Sequence, residues 1–537
     1  MWPLIFIAIS IALAQDTGPI VDIPSLGKVR GSIGQTTWTG QTINQYRSIP
    51  YAEAPIGKLR FQAPVAKKGW NSTLDGSEHG SQCPQLSDSD PNEDCLTLSV
   101  YTKDINESRP VMFYIHGGWF IFGAASSYQS NNLLESDIVL VVIQYRLGPL
   151  GFLSMENEQI PGNVAILDMI LALEWVQTNI GYFGGNNSQV TIFGESAGSV
   201  GVSALLLTPL LQNRPVALFH RAILQSGSVF SPWAMSRNPV EGTHEIALRV
   251  GCAENNIESC LKETPVKALL KAFVGHRKDN IIDKGYPYVT GSTIVAGDFL
   301  GVFPLHPRNY LRNLSSDVAI MAGSTSQDGL FLLEDIDQLQ PKLINSINNT
   351  YEILQFIQLL HEKFGLAELD GTLEAYELAY NFVNATTDQV SLREAILGFI
   401  DICGNHGIKA PTLNILLAAS RINPNNSYLY SFDFGNRGIS RITHLPISLD
   451  EPVRHAQDLF YLFPMIPLDG TDIKIAKTMT ELWTSFACHG LPKAKEVQHW
   501  PPASKLYGPY LKINDPSTIG ENYFTEFSAT LNKFGTI

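Results

Sequence analysis

The chain has 537 residues, 44% of them hydrophobic, and its 51 acidic and 37 basic residues give a formal charge of −14 at pH 7. This length and apolar content suffice for a large core, and α/β folds often keep such a length in one domain. The acidic balance argues against nucleic acid and anionic membranes as partners, because both select clustered Lys and Arg.

The N-terminal segment predicts export. Residues 1–14, MWPLIFIAISIALA, are apolar and end in the small-residue pattern A-L-A, which is typical of a cleaved signal peptide. The run is too short for a membrane anchor before Gln15 and Asp16 end it. We therefore expect a secreted protein without a membrane anchor, whose residues 15–537 form one domain.

Cysteines and glycosylation sequences agree with an extracellular location. Six cysteines suit an oxidising compartment. Two pairs lie close enough in sequence to close small loops, and the other two cysteines either pair or remain thiols. The pairs are Cys83 with Cys95 and Cys252 with Cys260, and the other two are Cys403 and Cys488. Acceptor sequences for N-glycosylation occur at Asn71, Asn106, Asn186, Asn313, Asn348, Asn384 and Asn425.

Short apolar runs rich in β-formers alternate with helical periodicity. The predicted strands, in chain order, are PVMFYIHGG (110–118), DIVLVVIQYRLG (137–148), QVTIFGESAG (189–198), HRAILQSGS (220–228), SDVAIMAGS (316–324) and YLYSFDF (428–434). Helical periodicity covers residues 164–180, and residues 350–420 are largely helical. This alternation predicts an α/β fold with a mostly parallel central sheet flanked by helices.

The residues Gly194-Glu195-Ser196-Ala197-Gly198 read G-x-S-x-G, a strand-to-helix elbow that exposes a serine. A glycine-rich turn that happens to contain a serine is the alternative. An active serine needs a histidine base, an acid that orients the histidine, and N–H donors for an oxyanion.

The donors are predicted in a glycine turn upstream of the elbow. The stretch His116-Gly117-Gly118-Trp119-Phe120 follows a strong strand, and its glycines let the backbone approach a ligand. We expect the N–H groups of Gly118, Trp119 and Ala197 to form the oxyanion hole, with an ordinary tight turn as the alternative.

The acid and the base are expected downstream, in the order Ser, acid, His. Asp328 lies in the loop GSTSQDGLF, where Asp-Gly is also a common turn pair, and Glu334 and Asp335 compete with it. His455 precedes an apolar aromatic run that can anchor its loop, and His444 is its nearest rival. The other downstream histidines are His361, His406, His489 and His499.

Several longer stretches resemble the type-B carboxylesterase family, which includes cholinesterases and insect juvenile hormone and pheromone esterases. They are YRSIPYAEAPIGKLRF (46–61), EDCLTLSVYT (93–102), FGGNNSQVTIFGESAGSVGV (183–202), QSGS (225–228) and WTSFACHGLP (483–492). The resemblance covers nearly the whole mature chain and is strongest to insect secreted esterases. It implies an α/β-hydrolase fold with a helical insertion around 350–420, and no metal or organic cofactor.

Residue by residue, the resemblance implies Ser196 as nucleophile, with Glu195 beside it shaping the field of the site. Asp328 falls where the family usually has Glu before Gly, and His455 falls in an H-x-x-[DE]-L segment. Trp233 matches a position that lines the acyl pocket of relatives, with core packing as the alternative.

Leu330 and Phe331 are expected to add apolar wall to the substrate pocket. Other positions are implied by the resemblance to be structural. Two ion pairs and two disulfides match structural positions of the family: Arg47 with Glu93, Arg146 with Asp168, Cys83 with Cys95, and Cys252 with Cys260.

The sequence therefore predicts a secreted serine esterase that cleaves small hydrophobic esters through an acyl-enzyme. Trp119 stands where a third glycine is common, which narrows the oxyanion hole. In acetylcholinesterase-like members of the family, a much longer loop at this place carries a Trp that binds the quaternary ammonium. The loop between Cys83 and Cys95 holds no aromatic residue, so the resemblance implies that choline esters are disfavoured. The rival interpretation is a non-catalytic adhesion or ligand-binding protein on the same fold.

Overall fold

The computed structural model describes residues 18–86, 88–212, 214–236, 238–283, 293–330, 400–401, 404–435, 452–503 and 508–523. The predicted signal segment and most of the region 350–420 lie outside these residues. The described part of that region, residues 400–401 and 404–420, is helical.

The described residues contain fourteen strands in two sheets. In chain order they are β1 (Ile20–Ile23), β2 (Gly27–Arg30), β3 (Ser32–Gln35), β4 (Thr42–Pro50), β5 (Leu74–Asp75), β6 (Thr97–Thr102), β7 (Arg109–Ile115), β8 (Val139–Ile143), β9 (Gly185–Glu195), β10 (Arg221–Gln225), β11 (Ala319–Thr325), β12 (Ser427–Phe432), β13 (Tyr510–Ile513) and β14 (Thr518–Gly520). The six strands predicted from apolar runs correspond to β7 to β12, and several end earlier than predicted, before a glycine turn.

The large sheet has eleven strands in the order β14-β13-β12-β11-β10-β9-β7-β8-β6-β4-β3. Strands β8, β7, β9, β10, β11, β12 and β13 pair in parallel, and antiparallel pairs occur only towards the two edges. All five residues of β8 are buried, as expected for a parallel strand covered on both faces. The predicted, mostly parallel sheet is confirmed.

Helices cover both faces of the sheet. In chain order they are α1 (Gly148–Phe152), α2 (Val164–Asn179), α3 (Ala197–Leu207), α4 (Pro239–Arg249), α5 (Ile257–Glu263), α6 (Val266–Asp283), α7 (Ala410–Ile422), α8 (Leu459–Leu462) and α9 (Gly470–His489). The stretch Val164–Phe183 is long and apolar enough to cross a bilayer, but 67% of its most apolar window is buried inside the protein.

The register of the parallel strands places their carboxyl ends together. Ile115 of β7 pairs with Gly194 of β9, and Glu195 at the end of β9 pairs with Gln225 at the end of β10. Gln225 in turn pairs with Gly323 of β11. The turns that follow these four strands therefore open at one edge of the sheet, where reactive groups of α/β proteins collect.

Candidate active site

Ser196 forms a sharp elbow between β9 and α3. Its backbone has φ 56° and ψ −123°, a conformation that L-residues rarely adopt. The N–H of Ser196 donates to the carbonyl of Gln225 at 2.9 Å, which fixes the elbow to β10. Strained backbone held in this way is characteristic of functional sites.

The two glycines of the motif are required by close backbone contacts. A Cβ added at Gly194 would lie 2.6 Å from the carbonyl carbon of Gly198, and one added at Gly198 would lie 2.0 Å from the carbonyl oxygen of Ile115. The start of α3 therefore folds back directly onto β7 and β9. This geometry is that of the predicted elbow and not of an ordinary glycine turn.

Asp328 and His455, which are 127 residues apart in sequence, meet at this edge. Asp328 Oδ1 lies 2.6 Å from His455 Nδ1. The other carboxylate oxygen, Oδ2, accepts a hydrogen bond from Ser226 Oγ at 2.7 Å and one from the N–H of Thr325 at 3.1 Å. Asp328 is fully buried, so these contacts determine its orientation. The rivals Glu334, Asp335 and His444 lie outside the described residues.

The second ring nitrogen of His455 lies beside the elbow. Nε2 is 3.1 Å from Oε1 of Glu195, the residue directly before Ser196. The two atoms are close but not aligned as a hydrogen bond, since Oε1 has no hydrogen-bond partner among the described residues. The imidazole therefore lies between the carboxylate of Asp328 and the end of β9.

Burial and charge act in opposite directions on this cluster. Burial raises the pKa of Glu195 well above its usual value, which disfavours the charged carboxylate. Burial alone would lower the pKa of His455, but the carboxylates of Glu195 and Asp328 outweigh burial and raise it. Strong perturbation of several groups within one cluster is typical of catalytic sites.

The glycine turn after β7 packs against the nucleophile. A Cβ added at Gly117 would lie 3.1 Å from Ser196 Cβ. Gly118 has φ 103° and Trp119 has φ 56°, so the chain turns sharply here. Within the described residues, no atom accepts a hydrogen bond from the N–H of Gly118 or of Ala197. Their assignment to an oxyanion hole stays a prediction.

His116 stabilises this turn with a neutral imidazole ring. Its Nδ1 lies 2.9 Å from the carbonyl oxygen of Gly117, so Nδ1 is the protonated nitrogen that donates. The ring stacks on Tyr145 at 4.5 Å, and Tyr145 Oη donates to the carbonyl of His116 at 2.6 Å. Burial lowers the pKa of His116 to about 4, which keeps the ring uncharged at neutral pH.

A second network of buried hydrogen bonds adjoins the elbow through Gln225, and it was not predicted. Gln225, whose carbonyl holds Ser196, donates from Nε2 to Asp458 Oδ2 at 2.8 Å and accepts from Trp483 Nε1 at 3.1 Å. Tyr430 Oη donates to the same Asp458 oxygen at 3.3 Å. Burial raises the pKa of Asp458 to about 6. The QSGS stretch and the H-x-x-D spacing were the only sequence signals for this hydrogen-bond network.

The family follows from comparison with known proteins. The model of the carboxylesterase family matches residues 17–530. This chain belongs to the carboxylesterase family. The mostly parallel sheet with its flanking helices is accordingly an α/β-hydrolase fold.

The relatives of this chain include insect and mammalian proteins. Glutactin of Drosophila melanogaster is 29% identical over 94% of this chain, which spans only 50% of glutactin. Liver carboxylesterase 1F of Rattus norvegicus is 30% identical, covering 93% of this chain and 91% of the relative. Juvenile hormone esterase of Tribolium castaneum is 29% identical, covering 88% and 84%. The two esterases among these relatives agree with ester hydrolysis as the general activity of the family, whereas the name glutactin denotes no activity.

Two tryptophans lie side by side at the glycine turn after β7. The rings of Trp119 and Trp233 meet edge to face with centroids 5.1 Å apart. Trp233 Nε1 donates to the carbonyl of Gly407 at 3.0 Å, which fixes the orientation of its ring. Leu330 is completely buried, and Phe331 lies outside the described residues.

The prediction that Arg47 pairs with Glu93 is wrong. Glu93 pairs with Arg60, whose Nη2 and Nε lie 2.5 and 2.8 Å from the two carboxylate oxygens. Arg47 instead donates to Ser32 Oγ at 3.1 Å and to the carbonyl of Ser77 at 2.5 Å. Arg60 ends a short 3-10 turn that packs on α5, and this packing brings its guanidinium to Glu93.

The second ion pair is present as expected. Arg146 Nη2 and Nε lie 2.6 and 2.8 Å from the two oxygens of Asp168. Both side chains are almost completely buried. The pair ties the turn after β8 to α2.

The predicted disulfides are also present, joining Cys83 to Cys95 and Cys252 to Cys260. Cys488 is a free thiol, and Cys403 lies outside the described residues. Among the predicted glycosylation positions, four are exposed and Asn186 is half-buried, while two lie outside the described residues. The exposed positions are Asn71, Asn106, Asn313 and Asn425, and the last two are Asn348 and Asn384.

Proposed function

We propose that this protein hydrolyses hydrophobic carboxylic esters through a covalent acyl-enzyme on Ser196. The observation that carries the proposal is the 2.6 Å contact between Asp328 Oδ1 and His455 Nδ1. A carboxylate at Nδ1 fixes the tautomer in which the other nitrogen, Nε2, is the base. That nitrogen lies next to the elbow, 3.1 Å from Glu195 Oε1.

In the first half-reaction, His455 Nε2 removes the proton of Ser196 Oγ, which attacks the ester carbonyl. The oxyanion accepts hydrogen bonds from the N–H groups of Gly118, Trp119 and Ala197. The imidazolium, stabilised by Asp328, then protonates the leaving alcohol. In the second half-reaction, His455 activates water, which releases the acid and restores the free serine.

The surroundings of the site favour apolar esters. Trp119 and Trp233 lie together beside the glycine turn, and Leu330 follows the loop of Asp328. Aromatic and aliphatic walls with a few convergent polar groups suit small hydrophobic ligands. We propose that the protein acts outside the cell as a glycoprotein, which agrees with its two disulfides and its exposed acceptor asparagines.

Covalent labelling with a fluorophosphonate, followed by peptide mapping, tests this function. We expect the wild type to be labelled on Ser196 and to hydrolyse p-nitrophenyl esters. Ser196→Ala should lose labelling and at least about 10⁴-fold in turnover, because the nucleophile is gone. Ser199→Ala is the matched control: Ser199 is a buried serine of α3, the helix that follows Ser196, and it donates to the carbonyl of Gly227. Its loss should leave the label in place.

Labelling that persists in Ser196→Ala would assign the nucleophile to another residue. A folded wild type that neither labels nor hydrolyses esters would instead favour a binding protein on the same fold.

A further inference from the structure

A lysine is buried beside the loop that carries Asp328. Only 1% of Lys409 is exposed, and its Nζ donates to the carbonyl of Ser326 at 2.6 Å. Lysine is almost never fully buried unless it is paired, because desolvating an ammonium is expensive. The steps derived above for ester cleavage give this residue no role.

Ser326 lies two residues before Asp328, at the start of the acid loop, which we define as residues 326–329. The N–H of Ser326 donates to the carbonyl of Phe432 at 2.9 Å, and the N–H of Gln327 donates to the carbonyl of Val453 at 3.2 Å. These bonds attach the acid loop to β12 and to the segment of His455. The hydrogen bond from Lys409 attaches the loop to a third element, the helical segment before α7, which ends in the turn Asn405–Lys409.

That helical segment is in direct backbone contact with the acid loop. A Cβ added at Gly329 would lie 2.0 Å from the carbonyl oxygen of Ile400 and 2.6 Å from the nitrogen of Gly404. Lys409 is the last residue of a π-helical turn, Asn405–Lys409. Such turns are rare and often occur at functional sites. The same turn supplies the Gly407 carbonyl that holds Trp233.

Three carboxylates keep this lysine charged. Burial lowers the pKa of Lys409 to about 8, and the charges of Asp401, Asp328 and Asp433 oppose that effect. The ammonium therefore persists at neutral pH, and its hydrogen bond to Ser326 is charge-assisted and stronger than a neutral one.

We propose that Lys409 is a positioning residue for Asp328: its ammonium holds the acid loop at Ser326 and thereby keeps the carboxylate within bonding range of His455. Asp328 has a short side chain, so the backbone of its loop sets where the carboxylate lies. This inference rests on the proposed function, because it concerns the acid of the same site.

Lys409→Met keeps the length and apolar volume of the side chain but removes the donor and the charge. We expect kcat to fall by about 10- to 100-fold, since small misplacements of a catalytic group have effects of this size. KM should change by less than about two-fold, because Lys409 positions the acid and not the substrate. Lys409→Arg retains a cationic donor and should recover a large part of kcat.

A double-mutant cycle separates positioning from general stability. In an Asp328→Asn background the acid is already lost, so Lys409→Met should slow fluorophosphonate labelling of Ser196 by less than about two-fold further. Lys103→Met is the matched control. Lys103 Nζ bonds Asp137 at 2.7 Å, its side chain is only 10% exposed, and Asp137 precedes β8 at the opposite edge of the sheet. Its loss should leave kcat unchanged.

A Lys409→Met variant with wild-type kcat would overturn the role of Lys409, as would an equally large effect of the substitution in the Asp328→Asn background. If Lys409→Met fails to fold, a double variant, Lys409→Met/Asp401→Asn, removes the cation together with one of the carboxylates that act on it. Its kcat is then compared with that of Asp401→Asn alone, under the same criteria. A wild type that neither labels nor hydrolyses esters overturns the proposed function itself, whereas an active wild type with a fully active Lys409→Met overturns only the positioning role.

Discussion

Asp168 and Asp328 are both completely buried, yet their surroundings differ. Both oxygens of Asp168 are held by the guanidinium of Arg146, and Oδ2 also accepts from the Arg146 N–H at 3.1 Å. Asp328 faces an imidazole, which in turn lies against a second acid, Glu195. The first carboxylate has a permanent countercharge, and the second has a partner whose charge depends on protonation.

Buried polar atoms near the two carboxylates show the same contrast. Arg146 also donates to the carbonyl of Gln62 at 2.8 Å, so the ion pair is fully embedded in hydrogen bonds. Around the candidate site, several buried atoms lack a hydrogen-bond partner among the described residues, including Glu195 Oε1, His116 Nε2, Thr325 Oγ1 and Asp458 Oδ1. Unsatisfied buried groups are uncommon in proteins and call for an explanation in function. The structural ion pair and the candidate site are both buried and charged, but only the candidate site contains buried polar atoms without hydrogen-bond partners among the described residues. This difference distinguishes the two aspartates better than burial or charge does.

The same substitution at the two aspartates should have opposite consequences. Asp328→Asn should lower kcat by about 10³- to 10⁴-fold, because the amide no longer stabilises the imidazolium and favours the wrong tautomer. Its shape is retained, so thermal unfolding should stay close to that of the wild type. Steady-state kinetics and calorimetry on one preparation measure both quantities, and near-normal turnover would assign the acid to another residue.

Asp168→Asn should instead destabilise the fold. It leaves the buried guanidinium of Arg146 without its countercharge, which costs about 3–5 kcal/mol. Activity per folded molecule should remain near that of the wild type, since the proposed mechanism gives Asp168 no role. Chemical denaturation, with active sites titrated by fluorophosphonate, checks this. Loss of activity at unchanged stability would contradict the contrast between the two aspartates.

Glu195→Gln should have the smallest effect, and it sharpens the comparison because it changes only the environment of the imidazole. The carboxylate of Glu195 raises the pKa of His455, so its removal lowers that pKa and leaves the neutral base populated at lower pH. The acidic limb of the kcat/KM profile should therefore move to lower pH, by about one unit or less. An unchanged limb, or one moved to higher pH, would show that Glu195 carries no charge beside the free imidazole.

Much of the fold could be predicted because buried parallel strands leave a one-dimensional signature. The run VLVVI of β8 is apolar throughout, since helices cover both of its faces. Strand β1, in contrast, alternates exposed and buried residues over only four positions, a pattern too short to be distinguished from a loop. Strand β1 and the equally short, alternating β3 were missed for this reason.

The candidate site could be predicted where a residue type is required by the backbone or the chemistry. Gly194 and Gly198 are examples, because no other side chain fits their close contacts. Partners chosen by tertiary packing could not be predicted: Glu93 bonds Arg60 and not Arg47, and Ser226 reaches Asp328 across 102 residues. Lys409 gave no signal either, because nothing in the residues around it indicates that its ammonium is buried.

The groups at the sheet edge come from separated stretches of chain, in the order Gly118, Ser196, Asp328 and His455. A ribosome therefore delivers the N–H donors and the nucleophile first and the imidazole last. On the proposed function, a nascent chain carries a serine with no base to activate it until the C-terminal third has emerged and docked. Synthesis itself thus delays reactivity, and a prematurely terminated product would be chemically inert towards the esters of its surroundings.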